Sequence, residues 1–186
     1  PQGSTYAEAP AGFQQIYTST VNRHGSRGLS SFKYDDLAQQ MLEYAKEHDH
    51  LTELGEKLIP QVEAMIIVNK ELAGGTGQEA GYGNLTVVGR EELQGIGQRN
   101  AQRNSALMDR IENDGLKVKY ISSGEDRAND SGWNFGKSWL SANPQLSDNL
   151  VDGMEDGHVT IETRTDLMYA HKDKNAPSYE TVSYTH

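Results

Sequence analysis

Residues 22–31 read NRHGSRGLSS and place Arg23, His24 and Arg27 within five positions, separated only by Gly25 and Ser26. A second arginine-bearing stretch, GEDRAND at 124–130, carries Arg127. Guanidinium groups stay charged and offer a planar fork of donors that matches two oxygens of a phosphate at once. A glycine inside such a run lets the backbone approach an anion and can take a positive φ. A neutral imidazole nitrogen is a nucleophile, and its attack on phosphorus gives a phosphohistidine. These residue types therefore suit phosphoryl transfer, which depends mostly on positioning and on charge stabilisation. Ser26 lies inside the loop and Lys33 just past it, where an ordinary surface lysine is an equal reading.

These residues need elements to hold them. Residues 1–13 read as an arm. Residues 14–22, QQIYTSTVN, alternate and are β-branched, which predicts a strand leading straight into the arginine-histidine loop. Leu37, Met41, Leu42 and Ala45 recur at helical spacing over 34–48. A second helix is expected over 51–73, with Thr52 as its cap and Pro60 kinking or restarting it. The glycine-rich stretch 74–84 reads as a connector. Residues 85–115 predict one long helix capped by Thr86, with a polar face that includes Glu91, Glu92 and the later Arg and Asn residues. Gly95 and Gly97 cost that helix roughly 1 kcal/mol each against alanine, so close packing is their expected use. LKVKYISS at 116–123 alternates as a strand. Residues 124–144 form a loop and then a helix with Trp133, Phe135 or Gly136, Trp139 and Leu140 inward, and 158–170 carry a further strand signal with an irregular end. The order is an α/β pattern with a mostly parallel sheet flanked by helices and a helical insert over 33–84. Ligands of such sheets bind at loops leaving the carboxyl ends of strands, so the loops holding Arg23–Arg27 and Arg127 are expected to converge.

The 186 residues carry a formal charge of −10 and 35% hydrophobic residues. That is polar but globular, and the acidic balance argues against nucleic acid and anionic membranes as partners while allowing a small anion in a local basic pocket. The sequence has no cysteine, which removes disulfides, thiolate zinc sites and thiol catalysis. The N-terminal stretch PQGSTYAEAPAGF has no basic region followed by an apolar run, so no signal peptide is read in it. His48-Asp49-His50 reads as a solvated helix end rather than a metal site, because side chains two apart on a helix diverge.

RHGSRG resembles the Arg-His-Gly-x-Arg motif of the histidine phosphatase superfamily. NLTVVGREELQGIGQRNAQR, 84–103, resembles the Leu-Thr-x-x-Gly-x-x-Gln/Glu helix of its second branch. VKYISSGEDRANDSGWNFGKSW, 118–139, resembles the strand, loop and helix in which that branch completes its pocket with a third arginine. Together with the insert at 33–84 and the run TRTDLMYAHKD, these motifs look most like bacterial multiple inositol polyphosphate phosphatases, and the likeness covers about residues 14–175. It implies a phosphoglycerate-mutase-like α/β core and hydrolysis of inositol polyphosphates such as phytate. It also implies His24 as nucleophile, with Arg23, Arg27 and Arg127 clamping the scissile phosphate, Lys33 and Ser26 as weaker candidates for contacting substrate, and no metal or organic cofactor. It further implies an exported bacterial protein, hence an extracellular or cell-envelope location. Leu29 stands where the family often has proline. The branch takes its proton donor from a His-Asp or His-Ala-Glu motif in the C-terminal half. Neither His158 nor His171 is followed by such residues, and His48-Asp49 lies too near the nucleophile. The expectation is therefore the N-terminal part of a longer phosphatase, its C-terminal half being the missing partner. A noncatalytic phosphate-binding module and a phosphatase for another ester stand beside it.

Overall fold

A computed structural model describes residues 10–71 and 81–165. Helix α1 spans Lys33–Glu47 and α2 spans Glu53–Glu71. Thr52 caps α2, its Oγ1 accepting from the Gly55 amide at 3.1 Å. Pro60 lies inside α2 without ending it: the ring removes one donor, and the remaining amides carry the helix on to Glu71.

The stretch expected as one helix over 85–115 is two, α3 at Val87–Arg103 and α4 at Ser105–Asn113. The break falls at Asn104, whose side-chain amide donates to the Asn100 carbonyl at 2.9 Å and whose Oδ1 accepts from Gln15 at 2.7 Å. Asparagine competes with the helical backbone in this way. Thr86 caps α3 as expected, accepting from the Gly89 amide at 3.0 Å. Strand β1, Tyr120–Ser122, leads into α5, Asp126–Ala142, and a 3-10 turn follows at Pro144–Asn149. Three short strands complete the described chain: β2 at Met154–Glu155, β3 at His158–Val159 and β4 at Ile161–Thr163. β1 and β4 pair in parallel, Tyr120 opposite Ile161 and Ser122 opposite Thr163, while β2 and β3 form an antiparallel hairpin. The result is helix-rich α/β with a small parallel sheet.

The strand expected over 14–22 does not form. The segment takes no regular structure and pairs with no strand among the described residues, and Ile16 and Val21 are 73% and 90% exposed. Side chains hold it instead: Asn100 donates to Thr20 Oγ1 at 2.9 Å and Arg110 to the Gln15 carbonyl at 2.9 Å. The expected strand over 158–170 breaks into β3 and β4; its end at 166–170, His171 and the connector residues 72–80 lie outside the described residues.

The core lies at the other end of the chain. Leu107, Met108 and Ile111 of α4 pack against Trp139 and Leu140 of α5 and against Leu146, Leu150 and Val159. Trp133 and Phe135 lie partly buried at its edge, so the inward face expected for α5 is the observed one. Burying a side chain of this size contributes about 1.5–3 kcal/mol, so this cluster is what anchors α5 and hence Arg127.

Helix α3 reaches the same region through polar groups. Arg90 pairs with Asp130 at 3.0 Å, and Gln94 donates to Asn134 Oδ1 at 2.8 Å. Ser138 donates to the Gln94 carbonyl at 2.6 Å. Gly97 is needed here: a β-carbon on it would lie 2.3 Å from the Phe135 carbonyl oxygen. Close packing is thus its use. Gly95 faces only Arg99 of its own helix, so its expected packing role is not seen.

Candidate active site

The loop after His24 is fixed by two helices. Gly89 and Glu92, three apart on one face of α3, are presented to it together with Leu85 and the cap Thr86 just before the helix. Leu85 bridges to Arg27, and Gly28 donates to the Asn84 carbonyl at 3.1 Å. The Thr86 amide and hydroxyl both donate to the Ser26 carbonyl, at 2.9 and 3.1 Å. Gly89 and Gly25 meet backbone to backbone: a β-carbon at Gly89 would stand 2.1 Å from Ser26 O, and one at Gly25 would stand 2.3 Å from Gly89 O. Glu92 accepts from the Ser26 amide and from the Ser26 hydroxyl, at 2.9 Å each.

From α5, Ser131 reaches back. Its hydroxyl donates to the Arg127 carbonyl at 2.7 Å and accepts from the Gly25 amide at 3.2 Å. The loop bearing His24 and the first turn of α5 bearing Arg127 therefore touch through one hydroxyl. The glycine's role differs from the expectation at this point. Gly25 lies outside the left-handed region, and its close approach is to α3, with its amide committed to Ser131.

His24 is half-buried, and its Nδ1 lies 2.8 Å from the Gly25 carbonyl oxygen. A carbonyl only accepts, so Nδ1 carries a proton, and in the neutral ring this tautomer leaves the lone pair on Nε2. Arg23 is exposed, and Lys33 is exposed at the first position of α1. Arg27 donates from Nη1 to the Gly28 carbonyl at 3.0 Å. Arg127 pairs with Glu125 at 2.6 Å beside an open groove of about 340 Å³ lined by Ser123–Asp126 and Thr165. A larger groove, about 510 Å³, lies by Lys46, Asp49 and Glu56 at the tip of the α1–α2 pair. It is remote from the two loops in sequence and lined by more carboxylates than cations, so it does not suit an anion. Ser26 has both its donors on Glu92. The dipeptide His48-Asp49 sits at the exposed C-terminus of α1, where His48 stacks on Tyr44.

Glu92, Ser131 and the Arg90–Asp130 pair are the participants that sequence reasoning passed over. The helical spacing of Gly89 and Glu92 was a signal for the first. Nothing in the sequence singles out one serine of α5.

The chain carries part of a histidine phosphatase fold, with its Arg-His-Gly-x-Arg loop seated between the helix of the Leu-Thr motif and the helix bearing the third arginine. No family model and no curated protein sequence matches it. Among solved structures it is similar to the multiple inositol polyphosphate phosphatase of Bifidobacterium longum, the kind of protein that the motifs resemble. The complex of that enzyme with inositol hexasulfate is 32% identical, with a TM-score of 0.81 over 97% of this chain. Its phosphate complex and its apo form each give 0.78 at the same identity. The chain spans 38% of the length of that enzyme in the hexasulfate complex.

Proposed function

We propose that the chain is the N-terminal part of a phosphomonoesterase that hydrolyses inositol polyphosphates, phytate foremost, through a phosphohistidine. The observation that carries this is the Gly25–Ser131–Arg127 contact, which joins the nucleophile's loop to the third arginine's helix. In the proposed reaction His24 Nε2 attacks phosphorus and the ester P–O bond breaks. The leaving alkoxide takes a proton from an acid, and water then cleaves the N–P bond to release phosphate. Arg23, Arg27 and Arg127 hold the phosphoryl oxygens, and Lys33 reaches other phosphates of the ring. The acid belongs to the part of the fold beyond this chain, and general acid help is worth about 10²–10⁴-fold. The likeness to the Bifidobacterium longum enzyme supports the substrate class, and on the same reading the protein works outside the cell or in its envelope.

The test is phosphate release from phytate by the native polypeptide, with His24→Ala beside the wild type. Turnover retained by the variant would remove His24 as nucleophile. An intact mass well above that of 186 residues supports the longer enzyme. A second reading, a noncatalytic phosphate-binding module, is favoured by the lack of a donor motif in the sequence: His48, in its only His-Asp pair, holds the Tyr44 carbonyl at the end of α1. Calorimetry with inositol phosphates separates the two, because affinity without product supports the module.

A further inference from the structure

We infer that Glu92 is a positioning residue for His24, acting through the single peptide group between Gly25 and Ser26. The carbonyl of that peptide is Gly25 O, which accepts from His24 Nδ1 at 2.8 Å; its N–H is that of Ser26, which donates to Glu92 at 2.9 Å. A trans peptide is planar and points its N–H and C=O in opposite directions. The imidazole and the carboxylate therefore hold the same rigid plate from its two ends.

Two physical effects follow. Glu92 fixes the rotation of the plate, and with it the direction in which Gly25 O faces the ring. A carboxylate on the N–H also polarises the amide, which makes its carbonyl a better acceptor, since hydrogen bonds in a chain strengthen one another. Both favour the proton on Nδ1 and leave Nε2 open, the arrangement a nucleophilic histidine needs. A carboxylate placed directly on an imidazole does the same work in hydrolase triads; here one peptide unit stands between the two.

The surroundings are built for this. The Ser26 hydroxyl gives Glu92 a second donor, Thr86 holds the Ser26 carbonyl, and Ser131 holds the Gly25 amide, so the plate is restrained on both flanks. The Ser26 amide, and after it the Ser26 hydroxyl, hold the Glu92 carboxyl below the usual carboxylate range, so it is an anion at neutral pH. The role rests on the phosphatase reading for its purpose and on the hydrogen bonds alone for its geometry.

The two can be separated experimentally. Nitrogen-15 NMR of the imidazole of His24 in the 186-residue chain reads its tautomer directly. The wild type is expected in the Nδ1–H form. Glu92→Ala should move the population toward the Nε2–H form that free histidine prefers and should speed hydrogen exchange of the Ser26 amide. Glu92→Gln, which keeps an acceptor, should restore most of the Nδ1–H form. Ser26→Ala, which keeps the amide, should leave the tautomer unchanged. A Glu92→Ala chain that folds and stays in the Nδ1–H form overturns the relay, as does a wild type already in the Nε2–H form. Should Glu92→Ala not fold, a Ser26→Pro chain, which has no N–H at that peptide, decides the same question by the same tautomer shift. Calorimetry of the native polypeptide with inositol hexasulfate is the separate arm. Failure to bind would remove the phosphatase reading and leave the tautomer result standing.

Discussion

Gly25 and Gly89 touch so closely that each excludes a side chain on the other, since a β-carbon on either would overlap a backbone oxygen at 2.1–2.3 Å. Backbone cannot swing aside as a flexible side chain does. Gly89→Ala should therefore cost about 1–3 kcal/mol, the usual penalty of overpacking, and push the histidine loop off α3. Urea denaturation reads the stability, and a loss below about 0.5 kcal/mol, the range of neutral surface changes, would show that the contact relaxes freely. Asp35 offers a second residue-level test. It is 2% exposed, and its carboxylate accepts from Tyr82 at 2.6 Å and from Asn69 at 2.8 Å. Burial first, and then the hydrogen bond to Asp35, push the Tyr82 hydroxyl up to about 12 from its ordinary 10.0. A raised value in the folded state means that this stabilisation is complete below pH 10 and is lost as pH climbs through about 12. Ultraviolet titration should find Tyr82 ionising late, beside Tyr120, which burial also pushes up, and Asp35→Asn should bring only Tyr82 earlier. The arginines and the histidine were conspicuous in the sequence because their types alone suit anion chemistry. Ser131 was not, because a hydroxyl that accepts from a backbone amide looks like any surface residue until the loop is folded onto it.

Helices α3 and α5 form the cradle of the site, and they meet largely through polar groups. Arg90 and Asp130 are 12% and 1% exposed at their side chains, so neither is solvated enough to stand alone. Removing one partner leaves a buried charge, and Arg90→Ala should cost about 3–5 kcal/mol by chemical denaturation. An Arg90→Ala chain within about 1 kcal/mol of the wild type, the worth of an exposed pair, would show that water replaces the guanidinium. This interface explains what the sequence concealed. Helical periodicity marks apolar faces, so it gives no sign of the interior contact that Arg90, Gln94 and Asn134 make. Asn104 deceived in the same way, ending α3 and lying buried against Gln15. Caps were more readable, since Thr52 and Thr86 accept from the amides three residues on. The β2–β3 hairpin was also available to a closer reading. Asp156-Gly157 between two short apolar-bearing runs is a strong hairpin signal, and both residues take positive φ, 47° and 78°.

At the scale of the molecule, the described chain has a firm end and an uncovered one. The buried apolar residues gather around α4, α5 and the short strands, while Phe13, Ile16, Tyr17 and Val21 are each more than 70% exposed on a segment that pairs with no strand among the described residues. The sequence pattern of 14–22 is that of a strand with a buried face, and a strand takes its shape from its neighbours as much as from its own residues. Parallel sheets are covered on both faces and bury strands of this composition. The chain spans 38% of the Bifidobacterium longum enzyme. We propose that the rest of such a fold pairs with this segment and completes the sheet behind His24. The test compares backbone hydrogen exchange of residues 14–22 in the 186-residue chain and in a native polypeptide that extends further. Fast exchange in the short chain and protection in the long one is the expected outcome. Equal exchange in both would mean that the histidine loop is held by α3 and α5 alone, through Thr86, Glu92 and Ser131, with no strand behind it.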